Sequence, residues 1–348
     1  AMASRWGILG CGKISSDFTN CLKHNGSQVV ACASRTLQSS EAFAKKHKID
    51  KAHGSYQDLF ADEDVTIVYI GNVHTHHRLA VEAALRAGKH VLCEKPMGMN
   101  SGEVESMLAL AKEKGLFLME GLWTRCFPAT RRVAEILRSG DLGKVVSVTA
   151  DLGFFIPEEV RRLYDLKIGG GGLLDLGLYP ISWILLAFDA ADFRGSNATA
   201  TIHSEGADMT GTVTLRFGDQ GLGTAHYSCR AETQKETHIC CEGGSIHVNR
   251  CWSAHAPARI VVKRGGSYGL EGGEGEVEEF PLPEFVGNCA MNFGNSEGFI
   301  YEARHVEECL EKGLVESPLW THAETRLLHR VLDDARRQVG VAYPQDKN

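Results

Sequence analysis

The sequence predicts an α/β protein: an N-terminal doubly wound parallel sheet, followed by a C-terminal α/β domain with a large open, mostly antiparallel sheet. Three observations carry this. Strand and helix patterns alternate through about Leu122, as parallel βαβ units require. From Lys144 onward, strand patterns instead follow one another with turn signals between them. A glycine turn, Gly10-Cys11-Gly12, joins the first strand to the first helix. The expected division is residues 1–123 and 124–348, with the final helices able to pack back on the first domain.

In order, Arg5–Leu9 reads as an apolar strand that runs through the glycine turn into a helix ending near Lys23. Gln28–Ser34 is a second strand and Ser39–His47 a helix. Val65–Gly71 is continuously apolar, as expected of a strand covered on both faces. Leu79–Ala87 is helical and stops at Gly88. His90–Cys93, Ser101–Lys114 and Leu116–Glu120 continue the alternation as strand, helix and strand. Ala129–Arg138 is a helix ended by Ser139-Gly140. The later strands are Val145–Phe155, Ala198–His203, Gly211–Phe217, Gly221–Cys229, Thr237–Val248 and Ala258–Lys263, with a helix over Leu176–Phe188 between the first two. Gly265–Gly275 holds six glycines and reads as a surface loop. Helices near Tyr301–Lys312 and Thr321–Val339 close the chain.

With 348 residues, 43% hydrophobic and 23% charged, the chain has enough apolar material for two full cores. The net charge of −7, with basic residues dispersed, argues against nucleic acid and anionic membrane as partners. Apolar stretches such as Ile184–Phe188 are too short to span a bilayer, and no secretory signal is evident. The eleven cysteines are scattered and form no Cys-x-x-Cys pair. They read as small buried residues of a reducing cytoplasm. His74, His76 and His77 lack the partners of a metal motif, so no metal site is expected.

Four segments carry chemistry. In Gly10-x-Gly12-x-x-Ser15 the first glycine permits a tight turn. The second lets the backbone of Gly12, Lys13 and Ile14 approach a pyrophosphate at the helix N-terminus, as in a dinucleotide-binding Rossmann domain. At the end of the second strand, Ser34-Arg35-Thr36 stands where an NAD enzyme usually has an acid. An arginine pairs with a 2′-phosphate that a carboxylate would repel, so the expected cofactor is NADP. Glu94-Lys95-Pro96 follows the strand at His90–Cys93, at the sheet edge where ligands bind, and Lys95 there can serve acid–base chemistry. Gly169–Gly172 lets the backbone pass close to a ligand. Asp175 and Tyr179, four apart, share one helix face and can position and deprotonate a substrate hydroxyl.

Together these segments resemble the glucose–fructose oxidoreductase/inositol dehydrogenase family. The likeness runs through Arg5-Trp6-Gly7-Ile8, Ile14–Thr19, Val91–Gly98, Gly115–Glu120, Trp123-Thr124-Arg125, Phe127-Pro128, Gly172–Tyr179, Glu316-Ser317-Pro318 and Pro344–Lys347. It is nearest to members that oxidise trans-dihydrodiols of aromatics and, in several relatives, aldopyranoses such as D-xylose. The resemblance implies that Lys95 lies beside the nicotinamide and Tyr179 near the reacting hydroxyl. It implies that Asn72 and His77 stand at cofactor- or substrate-side positions and that Gly71, Glu94 and Arg162 stand at cofactor-binding positions. Trp123, Phe154 and Trp252 are candidates for apolar faces against a six-membered ring, with Asp175 and Arg125 as its hydrogen-bonding groups. Asn72-Val73-His74-Thr75 departs from the Thr-Pro-type turn common in the family, and Cys126 interrupts an aromatic pair.

The expected activity is hydride transfer from a secondary alcohol or hemiacetal carbon to NADP. Which of Lys95 and Tyr179 is the base stays open. The alternatives are a non-catalytic NADP-binding regulator of the same fold, which would have no need of that pair, and a reductase of carbonyl sugars. A sheet with one helix-covered face leaves another to cover, so a homodimer is expected.

Overall fold

The computed structural model describes residues 4–248, 255–265, 275–285 and 290–347. The chain forms two compact units, residues 1–123 with 282–325, and residues 124–281 with 326–348. The second unit is therefore not the continuous stretch 124–348, because Leu282–Thr325 belongs with the first.

The first unit opens with β1 (Arg5–Leu9), α1 (Lys13–His24), β2 (Gln28–Ala33), α2 (Leu37–His47), β3 (Lys51–His53) and α3 (Tyr56–Ala61). It continues with β4 (Ile67–Ile70), α4 (His77–Arg86), β5 (His90–Glu94), α5 (Ser101–Lys114) and β6 (Leu118–Gly121). The strand order is β3-β2-β1-β4-β5-β6, all parallel. β1 and β4 are neighbours although β2 and β3 lie between them in sequence. Their junction is the switch point of a doubly wound sheet, the place where such sheets bind dinucleotides. Every residue of β4 is buried, as a strand covered on both faces must be. Side-chain caps set the helix starts: Thr36, Ser55 and Asn100 accept from the backbone N–H three residues on.

Leu282–Thr325 joins this unit through specific polar contacts. Glu307 accepts from the Trp6 indole at 2.9 Å, and Glu120 accepts from the Trp320 indole at 3.1 Å. Asp17, on α1, accepts from the backbone N–H of Asn292 and Phe293 and from the Ser296 hydroxyl.

The second unit contains α6 (Pro128–Ser139), β7 (Val145–Gly153), α7 (Leu178–Ala187), β8 (Phe193–Ile202), β9 (Asp208–Phe217) and β10 (Gly221–Ser228). Then come β11 (Thr237–Cys241), β12 (Gly244–Val248), β13 (Arg259–Arg264) and β14 (Glu276–Glu279). α8 (Phe299–Glu311) belongs to the first unit, and α9 (His322–Val339) begins in the first and continues in the second. The eight strands run in the order β14-β13-β12-β11-β7-β10-β9-β8, antiparallel throughout except for the β7–β10 pair. α7 lies against β7 and β10 on one face of this sheet. Alternation is clean: Val148, Ala150 and Leu152 are buried, whereas Ser147, Thr149 and Asp151 point to the other, open face.

Three sequence expectations change. Thr237–Val248 is a hairpin, β11 and β12 around Glu242-Gly243, and not one strand. The helix expected from Leu176 is preceded by a π turn, Leu173–Gly177, that carries Asp175. The 22-residue run Leu166–Ala187, longer than the apolar stretch Ile184–Phe188, is long and apolar enough by composition to cross a membrane. Of its 18-residue apolar window 83% is buried inside the protein, which marks it as a core segment of this unit.

Candidate functional site

In the first unit the expected cofactor residues converge on the carboxyl edge of the parallel sheet. Gly10 takes φ +90°, and a Cβ there would lie 2.9 Å from the Asn72 backbone nitrogen. At Gly71 a Cβ would lie 2.4 Å from Ser15 Oγ and 2.7 Å from the Tyr69 ring. Both glycines are needed for β1, β4 and α1 to meet this closely. Gly12 caps α1 with no side-chain acceptor, no acid stands in the first turn, and nothing lies within 4 Å of where its Cβ would be. The open backbone N–H groups of Lys13 and Ile14 are thus suited to an anion. Ser15 Oγ and both polar atoms of the Asn72 amide are buried without a hydrogen-bond partner. Orphaned polar atoms around an uncapped helix start fit a bound pyrophosphate.

Ser34 follows β2 and is almost buried, while Arg35 is exposed and Thr36 caps α2. Burial raises the pKa of the Tyr56 phenol, and Asn72 and Arg35 partly oppose it, so these groups share one neighbourhood.

At the end of β5, Glu94 is buried and accepts from the Tyr69 hydroxyl at 2.7 Å and the Lys95 N–H at 3.2 Å. Burial pushes its pKa up. The Lys95–Pro96 bond is cis. His77 spans two strand ends, with Nδ1 2.9 Å from the Pro96 carbonyl and Nε2 3.1 Å from the Asn72 carbonyl. Burial outweighs those two acceptors and lowers its pKa to about 4. The neutral ring has one N–H, which donates to one of these two carbonyls, and this holds His77 against the turns after β4 and β5. Glu302, on α8, has both carboxyl oxygens buried without a hydrogen-bond partner, and burial then the charge of Glu94 hold its pKa far above the ordinary range. Trp123 is buried and packs on Phe299 with ring centroids 4.5 Å apart.

In the second unit, Arg162 and Asp175 form a bidentate pair at 2.9 and 3.2 Å. Arg162, expected on the cofactor side, and Asp175, expected on the substrate side, are therefore partners of each other. The guanidinium pKa is raised, first by the Asp175 charge, and Tyr179 adds to it. Tyr179 is buried at the first turn of α7, and its ring centroid lies 5.3 Å from that of His255. Phe154 meets the same imidazole edge-on at 5.9 Å, with the Lys235 ammonium 4.2 Å over its own ring. Arg125 is buried and donates to the Ser182 carbonyl at 3.0 Å, a contact that holds α7 in place. Trp252 lies outside the described residues. Nothing in the sequence singles out His255, since a lone histidine in Ala-His-Ala-Pro carries no pattern.

A nucleotide-binding edge in one unit and an Arg–Asp–Tyr–His cluster in the other give this chain the parts of a dinucleotide-dependent enzyme. Residues 4–122 match the model of an oxidoreductase family with an NAD-binding Rossmann fold, GFO/IDH/MocA, and residues 130–247 match that family's C-terminal domain. The chain belongs to this family. It is an oxidoreductase. Trans-1,2-dihydrobenzene-1,2-diol dehydrogenase from Bos taurus is 42% identical over 351 residues, covering 100% of both chains. The Homo sapiens enzyme of that name is 40% identical, covering 99% of this chain and 100% of the relative. Among solved structures, KijD10, a 3-ketoreductase from Actinomadura kijaniata in complex with NADP and TDP-benzene, superposes with a TM-score of 0.80. It is 24% identical and covers 98% of this chain and 99% of its own. An aldose–aldose oxidoreductase from Caulobacter crescentus superposes with a TM-score of 0.81 at 21% identity, covering 97% and 98%. These two likenesses concern the fold.

Proposed function

We propose that this oxidoreductase is a cytoplasmic, homodimeric, NADP-dependent dehydrogenase. Its substrates would be ring compounds with adjacent hydroxyls, a trans-dihydrodiol of an aromatic or an aldopyranose such as D-xylose. The observation that carries the reading is the Arg162–Asp175 pair beside Tyr179, a charged and aromatic cluster suited to a polyhydroxylated ring. Full-length identity of about 40% to dihydrodiol dehydrogenases supports the substrate class.

The bound nicotinamide supplies the hydride acceptor. Gly10, Gly12, Lys13 and Ile14 receive the pyrophosphate. Ser34 and Arg35, with no acid before Glu41, receive the 2′-phosphate, which favours NADP over NAD. Tyr179 takes the proton of the reacting hydroxyl. A free phenol titrates near pH 10, about three units too high for a base at neutral pH. The Arg162 cation stabilises the phenolate, as does a cationic Lys95 in the role that the family resemblance assigns it. Phe154 and His255 offer faces to the ring of the substrate.

A screen of NADP and NAD reduction over trans-dihydrodiols, pentoses, hexoses and inositols tests the reading. Turnover with a dihydrodiol or aldopyranose and NADP is expected. NADP binding with no turnover of any substrate in either direction would instead favour a regulator.

A further inference from the structure

We propose that Asp208, at the start of β9, is a positioning residue for the reaction: its buried carboxylate fixes the π turn that carries Asp175 and leads into Tyr179. This rests on the dehydrogenase reading, in which those two side chains meet the substrate. No motif marks Asp208 in the sequence. The fold brings it to a turn 35 residues away along the chain.

Asp208 is fully buried, and its Oδ2 accepts from the Leu173 N–H at 2.7 Å. Leu173 opens the π turn Leu173–Gly177, and Gly172 before it has no side chain to cap it. The first N–H groups of a helical turn have no partner within the turn. Asp208 thus supplies, from another element, the cap that a run of four glycines cannot. Its Oδ1 bears on the same loop. Gly171 has φ +141°, and a Cβ there would lie 2.5 Å from that oxygen. At this position the glycine run makes room for the protein's own carboxylate, not for a ligand. The residue before is also held. The Tyr343 hydroxyl donates to the Gly170 carbonyl at 2.8 Å, and the Gly170 N–H donates to the Asp165 carbonyl at 2.9 Å. The Asp165 N–H in turn donates to the Arg161 carbonyl at 3.0 Å. The loop that presents Arg162 and the turn that presents Asp175 therefore meet at residues 170–173, beside Asp208.

A buried carboxylate is costly unless its surroundings compensate. Burial pushes the Asp208 pKa up, and Tyr227, the Leu173 N–H and the Arg336 charge oppose it. Arg336 is itself locked, 2.7 Å from Asp346 and 2.6 Å from Asp333, with its guanidinium 4.8 Å over the Tyr343 ring. The C-terminal stretch Pro344–Lys347 thereby backs Asp208 through Asp346 and Arg336. An apolar side chain would fill this space at lower cost, so what the acid adds is the acceptor for Leu173. Tyr179 stands on α7, which continues from the π turn without a break. A shift of about 1 Å in such a group can cost about a hundredfold in rate.

Full-length variants are compared with NADP and either D-xylose or the trans-dihydrodiol of benzene, whichever the wild type oxidises. Amide exchange of each is read by mass spectrometry. Asp208→Ala should lower kcat about tenfold to a hundredfold while the KM for NADP stays within about twofold. Residues 171–179 should exchange faster in that variant, with β1–β6 unchanged. Asp208→Asn keeps an oxygen for the Leu173 N–H and should restore most of the turnover. Asp208→Ser keeps a hydroxyl in the buried space but is too short to reach that N–H. It should behave as Asp208→Ala and serves in its place if the alanine variant does not fold. A merely structural Asp208 would lower the melting temperature and leave kcat of the folded protein intact. Wild-type kcat in the alanine or serine variant, a parallel rise in the KM for NADP, unchanged exchange over residues 171–179, or equal loss in Asp208→Asn would each overturn the assignment. A wild type that oxidises neither substrate counts against the dehydrogenase reading alone, and the exchange comparison then decides whether Asp208 holds the turn.

Discussion

A guanidinium and a carboxylate at the end of β2 face a 2′-phosphate in opposite ways, so Arg35 gives the sharpest test of cofactor choice. Charge-assisted hydrogen bonds to a phosphate contribute about 1.5–3 kcal/mol. Arg35→Asp should therefore weaken NADP binding by about tenfold to a hundredfold and leave NAD equal or preferred, as read by fluorescence titration. Equal affinity of the wild-type protein for both cofactors would contradict the argument. Tyr179 is the second residue-scale test. Losing a general base costs about 10²–10⁴ in turnover. Tyr179→Phe should show that loss with NADP affinity retained, and Lys95→Met should also lose turnover. The pH–rate profile should lose or shift a limb in Tyr179→Phe. Near wild-type turnover in both variants would remove these residues from the chemistry. Of these side chains, Arg35, Lys95, Asp175 and Tyr179 stand out in the sequence as candidates because each follows a strand end or a glycine run that chemistry explains. The Arg162–Asp175 pairing and the place of His255 beside Tyr179 do not, because they rest on contacts between residues far apart in sequence.

At the scale of elements, α1 and α2 meet at a buried polar contact with a consequence for stability. His47, the last residue of α2, is almost buried with Nε2 3.0 Å from Ser16 Oγ. Ser16 also accepts from the Lys46 ammonium at 2.8 Å. Burial, then the charges of Lys46 and Lys23, lowers the His47 pKa to about 4. The native state thus resists a proton that the unfolded chain takes up near pH 6.5, so stability falls as pH drops from 6.5 towards 4. His77, also near 4, acts in the same direction. His47→Gln should reduce the acid-induced loss, measured by urea unfolding at pH 7 and pH 4, by on the order of 2 kcal/mol. An unchanged pH dependence would show that His47 is protonated in the folded protein. The alternation that built the first sheet was readable because fully buried parallel strands are continuous apolar runs. The β11–β12 hairpin was not, because Cys240-Cys241-Glu242-Gly243-Gly244 interrupts a long β-favouring run too briefly to read as a turn. β3 and α3, three and six residues long, are too short for periodicity to register. The return of Leu282–Thr325 to the first unit rests on contacts such as Trp320 with Glu120, 200 residues apart, which no local pattern encodes.

At the scale of the whole molecule, the sheet of the second unit poses a packing question that one chain does not answer. One face is covered by α7. Over β7, β10 and β9 the other presents Ser147, Thr149, Leu222, Thr224, Thr212 and Thr214, a stretch of small, β-branched and apolar residues beside the polar Asp151, His226 and His238. Leu222 is 46% exposed and Val146 43%. Leu222 can pack, and the threonine hydroxyls can hydrogen-bond, across a symmetric contact. A second copy related by a two-fold axis would match each such residue with its own equivalent, the geometry of an isologous dimer. A stable interface needs about 800 Å² from each partner, a demand that a face of eight strands can meet. Light scattering at micromolar concentration should therefore give twice the 38.0 kDa of one chain. Leu222→Arg places a cation on β10, near the middle of this face, opposite its own copy or against the partner's apolar surface. It should shift the particle towards 38.0 kDa while leaving the circular dichroism of the folded chain unchanged. A wild-type particle of 38.0 kDa would show that this face is solvated after all, and a dimer that survives Leu222→Arg would move the contact to another surface.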